Sequence, residues 1–215
     1  MRHIRSIHIS ERVVQRTLCD KVINPTLKPS FIYDNGASTE NKGIDFALNR
    51  LSCHLQRHYR KYGREGYVLL FDFSNYFANA QHWPVSRELA RRVHDVRIRA
   101  LANECLDNFG PIGYGLGSQI SQTAALMLPN KLDHFIKEKL GIKGYARYMD
   151  DGYLIHPSKE YLKECLTRMK EVCDSLGIIL NTKKTKIKKL SEGFKFLQIR
   201  FKLTETGKGP SQMSI

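Results

Sequence analysis

Along most of the chain, apolar positions either recur every three to four residues or gather in short unbroken runs, and the two patterns separate helices from strands. In IDFALNRLSCHLQRHYRKYG, Ile44, Ala47, Leu48, Leu51 and Leu55 share one helical face, while Arg50, Arg57, Arg60 and Lys61 lie elsewhere. The preceding stretch, NPTLKPSFIYDNGASTENKG, holds two prolines and two glycines and predicts a loop. At Gly66 the pattern changes. YVLLFDFSNYF is an aromatic and β-branched run that predicts a buried strand delivering Asp72 at its end. On a strand, Val68, Leu70 and Asp72 share one face and Leu69, Phe71 and Phe73 the other. From Val85 to Leu106 the spacing predicts one helix, then the glycine-rich GPIGYGLGSQISQ. A helix through Ala124 and Leu128 should follow, with Pro129 kinking or ending it.

Residues 144–156, GYARYMDDGYLIH, predict strand, tight turn, strand, with Asp150 and Asp151 at the turn. SKEYLKECLTRMKEVCDSLG predicts an amphipathic helix with the stripe Leu162, Cys165, Leu166, Met169, Val172, Cys173 and Leu176. Ser158 is its candidate cap and Gly177 its stop. IILNTKKTKI and FKFLQIRFKL predict further strands. The order strand, helix, helix, strand, strand, helix, strand fits an α+β layer, an antiparallel sheet backed by helices close to a ferredoxin-like split βαβ.

Composition adds a partner class. The 215 residues suffice for one good core or two intertwined subdomains, and the 41% hydrophobic content suits a folded globule. Thirty-five Lys and Arg against 21 Asp and Glu leave a net charge of +14, which makes a polyanion the leading partner. The five cysteines are scattered and contain no C-x-x-C, so they read as buried hydrophobes of a reducing compartment. His54 and His58 stand one helical turn apart, but without supporting Cys or carboxylate spacing they read as polar positions on a basic helix. There is neither a signal-peptide core nor an apolar run of membrane length, and a cytoplasmic protein with no membrane partner is expected.

An Asp that continues an apolar strand face asks for a partner. If the strand ending at Asp72 neighbours the Asp150–Asp151 hairpin, three carboxylates converge. Such a cluster suits magnesium, which takes one or two carboxylates plus water and substrate phosphates. Ordinary turn chemistry is the alternative for an isolated Asp-Asp pair.

YMDD between two strands, with FDFSNYF upstream and GLGSQISQ in between, resembles a reverse transcriptase palm. The likeness runs in the family's motif order from about Arg12 to Thr204, and is nearest retron-like, group II intron-like and diversity-generating enzymes. It implies polymerase right-hand fingers in residues 1–65 and a palm in 66–206, with 85–115 at the fingers–palm junction and 207–215 as a tail. It further implies that Asp72, Asp150 and Asp151 are catalytic carboxylates. With the Phe73 carbonyl they would hold two Mg2+ ions, for which Mn2+ can substitute. Phe77 matches the aromatic gate that excludes a ribose 2′-hydroxyl; a core aromatic beside Tyr76 is the alternative. Gly117, Ser121 and Gln122 match the turn and helix supporting the template and new base pair.

Lys184, in LNTKKT, matches a lysine that protonates pyrophosphate; a solvated lysine run is the alternative. Lys42 matches a basic position near the triphosphate, and Phe196, Leu197 and Gln198 match the primer grip. The implied partners are an RNA template, a DNA or RNA primer and dNTPs. Leu116 stands where many relatives have Gln, which predicts relaxed nucleotide discrimination. Only about a dozen residues follow Leu203, so no thumb is expected in this chain. The leading reading is an RNA-directed DNA polymerase. The alternatives are a catalytically weak nucleic-acid-binding fragment and, behind it, a palm-type nucleotidyl cyclase.

Overall fold

The computed structural model describes residues 8–203. Two compact units emerge, each assembled from separated stretches of chain. Among the described residues, one comprises 8–31, Ser74–Lys131 and Cys173–Ile179, the other Ile32–Phe73, Leu132–Val172 and 180–203.

The first unit is helical. Helix α1 (Ile9–Leu18) continues through a π-turn at Cys19–Ile23 into α2 (Asn24–Leu27) and a 3-10 turn at Lys28–Ser30. The loop expected from residue 24 therefore begins only after Ser30. Pro25 stands directly after the π-turn, within this unbroken helical path. After the short α4 (Tyr76–Asn79), the single helix expected over 85–106 is two, α5 (Trp83–Arg92) and α6 (Val96–Asp107). The break is a capping event: the Asp95 side chain accepts from the backbone N–H groups of Arg97 and Ile98. Helix α7 (Gln119–Met127) starts at the Ser118 cap and is buried along most of its length; it packs against α1 and α6. As expected, the helix stops at Pro129, and a short α8 (Asn130–His134) resumes beyond it.

The second unit is built on a sheet. Helix α3 (Ile44–Tyr62) leads to β1 (Tyr67–Asp72), and a hairpin of β2 (Gly144–Tyr148) and β3 (Asp151–His156) follows later in the chain. Helix α9 (Lys159–Asp174) is capped by Ser158, whose hydroxyl accepts from Tyr161 N. Strand β4 (Lys186–Lys189) completes an antiparallel sheet in the order β2-β3-β1-β4. Strands β5 (Phe194–Phe196) and β6 (Ile199–Phe201) form a separate hairpin.

Ala47, Leu48, Leu51 and Leu55 of α3 bury against Val68, Leu70, Ala146, Tyr153 and Ile155 of the sheet, and Phe194, Phe196 and Phe201 close the same core. Ile44, expected on that face, is exposed, since it stands at the first position of the helix. The strand expected through IILNTKKTKI is displaced as well. Leu180 makes a single bridge to Phe73, a turn occupies 181–185, and the strand proper is Lys186–Lys189. Both sheet edges are modified. Loop residues Asp34 and Gly36 hydrogen-bond the backbone of Arg147 on β2, and β4 carries Lys186, Lys188 and Lys189.

Candidate active site

Antiparallel pairing of β1 with β3 sets Asp72 directly opposite Asp151. The β2–β3 register pairs Tyr148 with Asp151, so the tight turn is Met149–Asp150 and Asp151 already belongs to the strand. Met149 adopts φ +54°, a left-handed conformation unusual for a residue with a side chain. The Asp150 carbonyl accepts from Phe73 N at 3.2 Å, tying this turn to the end of β1. Strand pairing thus gathers the three carboxyl-bearing residues that the sequence keeps up to 79 positions apart.

Their charges are felt. Asp72 is buried at 4% exposure. Burial pushes the Asp151 carboxyl up to about 6, and the neighbouring Asp150 and Asp72 charges add to the rise. Lys184 offsets part of this charge, its ammonium donating to Asp72 Oδ2 at 2.7 Å. That bond holds the lysine above its ordinary range. Asn181 takes the other oxygen, with Nδ2 at 3.1 Å from Asp72 Oδ1, and its backbone N donates to the Asp72 carbonyl at 2.8 Å. The Asn181 side-chain oxygen in turn accepts from Lys183 N and Lys184 N, so one residue shapes the turn and orients the carboxylate.

A protein-family model described as reverse transcriptase (RNA-dependent DNA polymerase) matches residues 1–201. The chain belongs to the reverse transcriptase family. Among solved structures, telomerase from Candida albicans in complex with a TWJ fragment of telomeric RNA shares the fold at TM-score 0.61 and 12% identity. The match covers 91% of this chain and 36% of that one. Apo telomerase from Candida tropicalis truncated from its C-terminal domain aligns at TM-score 0.63 and 11% identity, over 91% of this chain and 44% of that one. This reverse transcriptase chain therefore spans less than half the length of either telomerase chain. No curated protein sequence gives a significant match.

The fold is thus the α+β fingers–palm arrangement of reverse transcriptases. Asp72, Phe73, Asp150, Asp151 and Lys184 come together in its sheet unit. The hairpin of Phe196, Leu197 and Gln198 belongs to the same unit, and Leu197 and Gln198 turn there with φ +48° and +70°. The positive φ at Gln198 is a conformation that a residue with a side chain adopts only at some steric cost. Lys42, also in this unit, donates to the Tyr33 and Asn35 carbonyls at 2.6 and 3.2 Å and lies over the Tyr33 and Phe46 rings. Phe77, Leu116, Gly117, Ser121 and Gln122 belong to the helical unit. There Gly117 takes φ +95° beside a groove of about 400 Å3 lined by Arg12, Val13 and Arg16 of α1 and Gln119 of α7. Gln122 is exposed and Ser121 buried.

Among the described residues no three His, Cys, Asp or Glu side chains form a ready-made metal cage. The donor set is hard oxygen throughout, and its mutual repulsion favours a cation.

Sequence reasoning missed three supports. Asn181 was hidden inside a lysine-rich turn. Arg147 and Asp133 are fully buried and form a two-point ion pair, with Nε–Oδ1 at 2.9 Å and Nη2–Oδ2 at 2.6 Å. Arg147 Nη1 also donates to the Met149 carbonyl at 2.8 Å, which fixes the turn carrying Asp150. The available signal was an arginine at a strand position flanked by Tyr145, Ala146 and Tyr148, where a surface charge is out of place.

Proposed function

We propose that this chain catalyses RNA-directed DNA synthesis: a primer 3′-hydroxyl attacks the α-phosphate of a dNTP on an RNA template, and pyrophosphate leaves. Residues 1–65 would serve as fingers and 66–206 as palm. The observation that carries the reading is the register placing Asp72 opposite Asp151, with Asp150 in the adjoining turn. Asp72, Asp150, Asp151 and the Phe73 carbonyl would hold two Mg2+ ions, which supply charge neutralisation and a more acidic attacking hydroxyl. Asn181 keeps the Asp72 carboxylate in one rotamer. Lys184, exposed along much of its length, is free to swing from Asp72 toward the leaving pyrophosphate and give up a proton there. Phe77 bars a ribose 2′-hydroxyl, while Gly117 and Gln122 support the template and new base pair. Lys42 sits near the triphosphate. Phe196, Leu197 and Gln198 hold the primer end.

The test is extension of a short DNA primer on an RNA template with magnesium and dNTPs, beside Asp150→Asn. The unaltered chain should extend, and the variant should lose at least about a hundredfold in rate. Equal extension by both would overturn the assignment of the carboxylates. No extension by either, with duplex binding retained, would leave a nucleic-acid-binding scaffold instead.

A further inference from the structure

Behind Phe77 stands a packed assembly that the proposed chemistry does not itself require. The Phe77 ring meets Tyr76 edge-on at 5.9 Å and Tyr114 edge-on at 6.5 Å. Tyr76 is anchored by its hydroxyl, which donates to the Ala125 carbonyl of α7 at 2.6 Å. Tyr114 is buried, donates its hydroxyl to the Gln81 carbonyl at 3.2 Å, and stacks on the His82 ring at 5.5 Å with 12° between planes. His82 is held at both ring nitrogens. Nε2 lies 2.6 Å from the Gly113 carbonyl and Nδ1 lies 2.7 Å from Asp107 Oδ1.

The backbones are joined as well. Tyr114 N donates to the Phe77 carbonyl at 2.7 Å, and Gly113 N donates to the Ala80 carbonyl at 2.8 Å. Gly113 allows this approach with φ +95°, and a Cβ there would lie 2.9 Å from the Ala78 carbonyl. Residues 77–82 and 113–114 are thus tied to one another through backbone, ring and side-chain contacts, and the segment that ends in Leu116 and Gly117 begins from them.

We infer that Tyr114 and His82 are positioning residues for sugar selection: they set where the Phe77 ring stands, and so how closely it crowds a ribose 2′-hydroxyl. The inference rests on the reading of Phe77 as the sugar gate. An aromatic gate excludes one oxygen atom only while its ring cannot retreat. Tyr76 and Tyr114 brace it from two directions, and the His82 stack keeps Tyr114 itself from yielding. A softer residue at position 114 leaves Phe77 in place chemically but gives its ring room to move.

The experiment measures single-turnover extension by one nucleotide, enzyme in excess, with a dNTP and with the matching rNTP. The full chain is compared with Phe77→Val, Tyr114→Leu and Tyr114→Phe. Phe77→Val tests the gate and should lower the dNTP-to-rNTP rate ratio about a hundredfold. Tyr114→Leu should lower it about tenfold, chiefly through faster rNTP use, and Tyr114→Phe, which keeps the ring, should retain most of it. Should Tyr114→Leu fail to fold, Tyr114→Met removes the ring at similar apolar volume and is read the same way. A ratio lowered by Phe77→Val but unmoved by Tyr114→Leu overturns the bracing role and leaves the gate intact. A ratio unmoved by Phe77→Val overturns the gate reading and the inference with it. Slower use of both nucleotides at constant ratio marks Tyr114 as merely structural and also overturns the proposal. No extension by the unaltered chain removes the polymerase reading on which all of this stands.

Discussion

His54 shows how far a single residue's environment can depart from what its spacing suggests. Beside His58 at one helical turn, it has the geometry of half a zinc site, yet the structure buries it at 3% exposure. Its Nδ1 meets the Tyr153 hydroxyl at 2.9 Å, and Arg50 Nη2 faces Nε2 at 3.4 Å, a pairing that suits a neutral ring protonated on Nδ1. Burial pushes the imidazole down to about 4, although the Asp34 carboxylate 3.7 Å away opposes the drop. An unfolded histidine protonates near ~6.5. Between those values the unfolded chain binds more protons, so this contribution is complete above the unfolded value and drains away as pH falls through the folded one. Unfolding free energy measured in urea should fall by about 2 kcal/mol more between pH 7.5 and pH 5 in the native chain than in His54→Gln. Parallel pH profiles would refute the assignment. The clustering of Asp72 with Asp150 and Asp151 was legible in the sequence because a strand end and a hairpin turn are both readable patterns. Arg147 and Asn181 were not, because their importance lies in which atom they touch.

At the scale of elements, periodicity located α3, α9, β1 and the β2–β3 hairpin, where an apolar face and its stop signals agree. It failed between Val85 and Leu106, because Val93 and Val96 carry the apolar pattern across a break made by one side chain, Asp95. It also misplaced β4, since Lys-Ile-Lys-Lys has little hydrophobic content and pairs with β1 through its backbone. The β1–β3 pair offers a sharper test. Gly152 lies opposite Phe71, and a Cβ on it would come within 2.3 Å of the Phe71 ring. That ring cannot easily give way, since Phe73 and Tyr145 pack against it. Gly152→Ala should destabilise the chain by about 1–3 kcal/mol, seen as a lowered Tm. It should also slow primer extension, because the displaced strand end carries Asp72. An unchanged Tm would mean that the strand pair flexes more freely than its packing implies.

For the whole molecule, the charge of +14 sets the terms of association. Affinity for an RNA–DNA duplex should fall on the order of a hundred- to thousandfold between about 50 and about 200 mM salt, with little dependence on base sequence. Binding titrations across that range are the check, and a flat profile would detach the positive charge from nucleic-acid binding. Among the described residues no helix is long and apolar enough to cross a membrane. The two treated edges of the sheet bear on how copies of the chain meet. On the β2 side the backbone of Arg147 is already engaged by the loop at Asp34–Gly36, and on the β4 side an incoming strand would align with a row of lysines. Cross-β stacking, the usual fate of an open sheet edge in a crowded solution, is thereby disfavoured at both ends. Neutralising Lys186 and Lys188 would trade that protection for a template on which other chains can grow.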